Sequence, residues 1–255
     1  MRMSSVYAEK TCLKNRVKMN RKHIIFEIII IAVLIPVLLF LSLKLGDRQY
    51  YIGTVAVMIL TMLPFFLHFE YRMPTARELV TISVMAALCA AGRIAFVMVP
   101  YFSAMTGMIM ICGIALGPES GFIIGSVAAF VSNFIYGQGP WTPWQMFAYG
   151  LAGLLAALFA KWDIMGGEKR LRTAIAGGLM VFIIIGPILD TAALFLSMTE
   201  LNGESVASIY IAGIPVNAIH GACTFATIML LLRPILEKLE RVKVKYGILD
   251  SRETR

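Results

Sequence analysis

The stretch AMTGMIMICGIALGPESGFIIGSVAAFVSNFIY, residues 104–136, decides how the chain is laid out. It holds two apolar runs, 104–116 and 120–136, separated by Gly117-Pro118-Glu119-Ser120-Gly121. Glycine and proline are the strongest local punctuation in a helical pattern, and proline is tolerated at the first position of a new helix. The five residues therefore read as a helix stop followed by a fresh start. Joined instead into one kinked element, the same stretch would move every later loop to the opposite side of a membrane.

Working outward, six more apolar runs appear at 24–43, 51–69, 78–98, 144–160, 173–197 and 209–232. Each is near the ~20 residues that cross ~30 Å of hydrocarbon; only 104–116 and 120–136 are short. Composition agrees with lipid as the solvent. Hydrophobic residues make up 59% of the chain and charged residues 15%, with a mean hydropathy of +0.79. Soluble domains carry about 25% charge. The run 24–43 follows a basic flank (Lys14, Arg16, Lys18, Arg21, Lys22) but is longer than a signal-peptide core and lacks a small-residue cleavage site, so it reads as a retained span.

Charge placement tests the count of eight. The net charge of +8 sits at the ends of apolar runs, the pattern of loops facing an anionic cytoplasmic surface rather than nucleic acid. With the N-terminus inside, Arg72, Arg77, Lys161, Lys169, Arg170, Arg172, Lys238, Arg241, Lys243 and Lys245 all fall inside. The outer segments 99–103 and 137–143 carry no charge, and 198–208 carries only Glu200 and Glu204; Lys44 and Arg48 are the exceptions, beside Asp47. The expectation is a multi-pass protein of the cell membrane with both termini cytoplasmic. It divides into a basic tail (1–23), a transmembrane hairpin (24–69), a six-helix unit (75–235) opened by the capping box Thr75-x-x-Glu78, and a second basic tail (236–255).

Polar residues at membrane depth are costly and point to function. Arg93, Asn133, Gln145, Asp190, Asn217 and His220 come from five different helices of the six-helix unit. At 1.5 Å per residue, Arg93 lies about 22 Å from Glu78 and Asp190 about 26 Å from Thr173. All six fall in the outer half or at mid-membrane. That predicts a polar cavity open to the outside, covered by uncharged loops. The richest loop is Gly137-Gln-Gly-Pro-Trp-Thr-Pro-Trp-Gln145, where Trp141 and Trp144 offer flat apolar faces, with Tyr101, Phe102 and Tyr136 at the same level. Each residue also has a plainer role. Arg93 and Asp190 could neutralise each other, the tryptophans could anchor at the interface, the asparagines and His220 could bridge helices, and Gln145 could simply start its helix.

Ala86, Ala87, Ala90 and Ala91 form two small-xxx-small pairs, which suit close helix approach inside the bundle or against a partner. The chain has no GxxxxGK[ST] phosphate loop, no HExxH, no CxxC and no GxSxG. No metal or cofactor is expected in it, and Cys89, Cys112 and Cys223 read as small packing residues.

The residues Ala115-Leu-Gly-Pro-Glu-Ser-Gly-Phe122, Ser132-Asn-Phe-Ile-Tyr-Gly-Gln-Gly-Pro-Trp-Thr-Pro-Trp-Gln-Met146 and Gly150-Leu-Ala-Gly153 resemble the substrate-binding S components of energy-coupling factor (ECF) vitamin transporters. The resemblance covers roughly residues 75–235. It implies a six-helix, S-component-like all-α bundle that captures a vitamin-like solute in an outward cavity. It also implies docking, through small residues of its first helix, on a coupling membrane protein and two ATPase subunits, which would use the ATP. Residues 1–69 depart from it by adding a hairpin. The tryptophan loop resembles members assigned to cobalamin or to queuosine-precursor uptake, with cobalamin ranked first. Two other readings stand beside it: an intramembrane enzyme using His220 and Asp190 as an acid–base pair on a lipid-linked substrate, and a stand-alone transporter with Asp190 carrying a proton.

Overall fold

The computed structural model describes residues 50–71, 74–166, 169–198 and 202–246. The expected first span, 24–43, and the basic tail 1–23 lie outside them. Among the described residues all regular structure is helical: α1 (Tyr50–Tyr71), α2 (Ala76–Ile94), α3 (Met105–Leu116), α4 (Pro118–Tyr136), α5 (Thr142–Lys161), α6 (Arg170–Met180), α7 (Gly186–Ser197) and α8 (Gly203–Tyr246). A wider π turn, Val181–Ile185, joins α6 and α7 into one 28-residue span. Four segments (α4, α5, α6–α7 and α8) are each long and apolar enough to cross a membrane, and α3 and Val55–Glu70 are shorter apolar helices. Val80, Val84, Leu88, Phe134, Ile183, Ile211 and Leu230 are exposed on their outer faces. Apolar surface on so many helices at once suits lipid, not water. This is a multi-pass membrane protein.

The decisive stretch forms two helices, not one. Gly117 stands between them at φ +92°, a left-handed conformation that glycine adopts without strain, and its N–H caps the Gly113 carbonyl at 2.9 Å. Pro118 then opens α4, where its missing N–H costs nothing. The chain reverses so tightly that α3, α4 and α5 meet backbone to backbone. A Cβ on Gly113 would lie 2.1 Å from the Gly153 carbonyl oxygen, and one on Gly153 would lie 2.3 Å from that of Gly121. Helices associate in membranes largely by such close packing.

Thr75 caps α2 by accepting the Glu78 N–H at 3.2 Å, as the capping box predicts. The π turn has a local cause: Pro187 has no N–H to give the preceding turn, and the Gly186 N–H reaches back to Val181 instead. The last helix differs from its expected span. It does not end near residue 232 but continues to Tyr246, about 66 Å in all, well beyond the hydrocarbon. The physical reason is a continued apolar stripe: Leu232, Leu236 and Leu239 stay buried in the core, and Lys243 Nζ donates to the Ala115 carbonyl at the end of α3 (2.7 Å).

These contacts orient the bundle. His68 near the end of α1 meets Glu119 at the start of α4 (3.0 Å), and Lys243 meets α3, so one end gathers these termini with Lys161, Lys169 and Arg170. Lys169 also pairs with Asp163 there, which holds the Asp163 carboxyl below its usual range. The opposite end carries the loops 95–104 and 137–141 and the residues Arg93, Asn133 and Gln145. Helix α1, the second half of the expected hairpin, lies against α4, α5 and α7, with Phe65 stacked on Phe122 (centroids 4.1 Å apart).

Candidate functional site

Arg93 sits in the last turn of α2, where α2 faces α4. Its Nη1 donates to Ser132 Oγ (2.8 Å) and to Asn133 Oδ1 (2.9 Å). Its guanidinium carbon lies 4.3 Å from the centre of the Tyr136 ring and 5.9 Å from that of Tyr149. Hydrogen bonds from a charged group contribute roughly 1.5–3 kcal/mol each, and a desolvated cation over a ring about 2 kcal/mol. Together these hold the side chain in one place. Among the described residues Nε and Nη2 have no protein partner.

Asn133 is fully buried and is the hub below Arg93. Its Nδ2 donates to Gln145 Oε1 (2.8 Å) and Thr142 Oγ1 (3.2 Å), so one amide links α2, α4 and α5. Thr142 in turn donates to Gln138 Oε1 (3.0 Å) and accepts from the Gly139 N–H (3.2 Å). The Trp141 indole donates to the Gly137 carbonyl (3.3 Å), and its ring lies over Gly139, where a Cβ would come within 2.4 Å. The Tyr136 hydroxyl donates to the Arg93 carbonyl (3.0 Å). The tryptophan loop is thus tied to the arginine by a continuous set of hydrogen bonds.

Above this network opens a cavity of about 650 Å³. Arg93, Gln145 and His220 supply its polar wall; Tyr101, Phe102, Tyr136, Trp141 and Tyr149 supply aromatic faces; Leu189, Ala192, Ala193, Leu196 and Ser197 close it along α7. The volume falls within the usual range for small-molecule sites, roughly 300–1,000 Å³.

Of the eight residues expected at a substrate site, Arg93, Trp141, Gln145 and His220 line the cavity. Asn133 lies beneath it and positions two that do. Trp144 does not reach it. It is buried on another side of α5, stacked on Phe195 (6.1 Å), and borders a separate apolar cleft with Val57 and Met58 of α1. Successive helical residues point 100° apart, and here Gln145 turns toward Asn133 and the cavity while Trp144 turns toward Phe195. Asp190 and Asn217 are also elsewhere. Asn217 Nδ2 donates to Asp190 Oδ2 (2.6 Å) between α7 and α8, with Asp190 over Gly213 and Asn217 over Gly186. Arg93 and Asp190 therefore do not neutralise each other, and His220 and Asp190 do not meet as an acid–base pair.

The sequence reading missed Tyr149, Ser132 and Ser197. Tyr149 follows Trp141 and Gln145 at four-residue steps, a spacing that places all three on one helix face. Ser132 is marked only by adjacency to Asn133, and Ser197 only by the stripe Leu189, Ala193, Leu196. The alanines separate cleanly: Ala86 and Ala90 are buried in the bundle, whereas Ala87 and Ala91 are exposed beside Val80, Val84 and Leu88.

A family model described as ECF-type riboflavin transporter, S component, matches residues 73–238. A UPF0397 protein of Clostridium perfringens (strain SM101 / Type A) is similar, 25% identical over 138 residues that cover 52% of this chain and 69% of that protein. No solved structure matches.

Proposed function

This chain belongs to the family of ECF-type riboflavin transporter S components, which are substrate-binding transporter subunits rather than enzymes. From that premise we propose that it captures a flat, aromatic, vitamin-sized solute from outside the cell. The carrying observation is the 650 Å³ cavity, walled by five aromatic rings and entered between loops without charge. Its position at the end opposite Lys161, Lys169, Arg170 and Arg172 supports an outward opening with cytoplasmic termini. The family places the subunit with a coupling membrane protein and ATPases that consume the ATP, and the exposed Ala87–Ala91 stripe of α2 is the proposed face for that docking. Ala86 and Ala90 leave the docking face because they pack inside.

The cavity favours a ring system of flavin size over a corrinoid. A macrocycle with its appended nucleotide is far larger than the drug-sized ligands that such a volume encloses. Cobalamin, ranked first from the tryptophan loop, therefore yields to a smaller flat ring. A thermal-shift screen of the detergent-purified chain against riboflavin, cobalamin, queuosine precursors and other water-soluble vitamins tests this. A tight ligand raises the melting midpoint without ATP or partner subunits, by mass action. Stabilisation by cobalamin alone would reverse the ranking, and stabilisation by no compound would remove the capture reading.

A further inference from the structure

Resting on that reading of the cavity, we infer that its ligand carries a compact anionic group, a carboxylate or a phosphate ester, seated on the free edge of Arg93. The guanidinium's hydrogen bonds within the described residues are made by Nη1 alone, to the neutral Ser132 and Asn133. That leaves Nε and Nη2, which together form the side-on edge that matches two oxygens of a carboxylate or phosphate. Arg93 lines the cavity, and among the described residues lining it none is Asp or Glu. The other polar side chains on the wall, among them Gln145, His220 and Tyr149, bring no carboxylate to the guanidinium. The nearest carboxylate along the α7 wall, Asp190, is turned to Asn217 and packs over Gly213 on α8. An arginine facing the interior of a membrane bundle pairs with an acid or with carbonyl oxygens. Here the counter-charge is absent from the described walls, and an anionic ligand supplies it. The ring faces of Tyr136 and Tyr149 hold the cation in place and leave its in-plane edge open. The ligand's own ring system then falls among Tyr101, Phe102 and Trp141 at the mouth.

The test uses matched pairs that differ only in the anion, bound to the full-length chain in detergent and read by calorimetry. Riboflavin against riboflavin 5′-phosphate probes a phosphate ester, and nicotinamide against nicotinate probes a carboxylate. The anionic member of at least one pair should bind about 10- to 100-fold more tightly, the range expected for a charged hydrogen-bonded contact. The pair that discriminates identifies the group. Arg93→Gln should abolish that difference, both members of the pair then binding alike, and Arg93→Lys should restore part of it. Neutral members binding as tightly as anionic ones, in the unsubstituted chain, would overturn the inference while the capture reading stands. Binding by none of the four would overturn the inference, and only the absence of stabilisation by every compound of the vitamin screen would overturn the capture reading as well.

Discussion

At the scale of single residues, the site depends on Asn133 more than on either tryptophan. Its amide joins Arg93, Thr142 and Gln145, and removing it takes a hydrogen bond from each, leaving Gln145 Oε1 unpaired while Ser132 still holds Arg93 and Gln138 still holds Thr142. Each unsatisfied group costs about 1–3 kcal/mol. Asn133→Ala should therefore lower the melting midpoint and weaken ligand binding by about tenfold or more, read by thermal shift and calorimetry on the same preparation. Trp144 has the opposite expectation. Because it stacks on Phe195 away from the cavity, Trp144→Phe, which keeps an aromatic ring on Phe195, should leave affinity within about twofold even where the smaller ring lowers stability. A tenfold loss of affinity in that variant would return Trp144 to the site. The two neighbours at the start of α5 thus have separate fates, decided by what each helix face meets: Asn133 for Gln145 and Phe195 for Trp144.

At the scale of elements, the α3–α4 hairpin and its seat on α5 hold the site in place. Arg93 reaches Asn133 only because α4 returns along α2, and Gln145 reaches Asn133 only because α5 lies against α4. The closest approach is at Gly113, Gly121 and Gly153, where added Cβ atoms would strike backbone rather than flexible side chains. Gly153→Ala should force α4 and α5 apart at a cost of about 1–3 kcal/mol or more, with a lower thermal midpoint and poorer yield. Gly203→Ala, where nothing lies within 4 Å, is the matched control and should behave as the unsubstituted chain. Equal stability of both variants would mean that this junction is looser than its geometry. The capping box at Thr75 and the break at Gly117–Pro118 were legible in sequence, because caps and breakers act on their own backbone. The contact of Gly113 with Gly153 was not, because forty residues separate them.

At the scale of the whole molecule, the proposed binding and docking surfaces are separate. The cavity lies at one end, and the exposed flank of α2 presents a smooth stripe to whatever lies beside it in the membrane. Replacing Ala87 and Ala91 by Trp should leave ligand affinity unchanged and prevent co-purification with the coupling protein. Replacing Ala86 and Ala90 by Trp should instead damage the chain itself, since both are buried. Assembly that survives the first pair would place the docking face elsewhere. The division between these alanines could not be read from spacing alone, because all four belong to overlapping small-xxx-small pairs.

The sequence alone determined the solvent, the helical class, the position of most spans, and the end of the bundle at which polar residues gather. Those follow from hydropathy, helix breakers and basic residues, each a local property of the chain. Tertiary structure decided which polar residues share a space. Depth along a helix can be counted from sequence, but azimuth relative to the neighbouring helix cannot, because it depends on how pairs of helices pack. Arg93, Gln145 and His220 therefore turned toward one cavity, whereas Asp190 and Asn217, at a similar depth, turned toward each other.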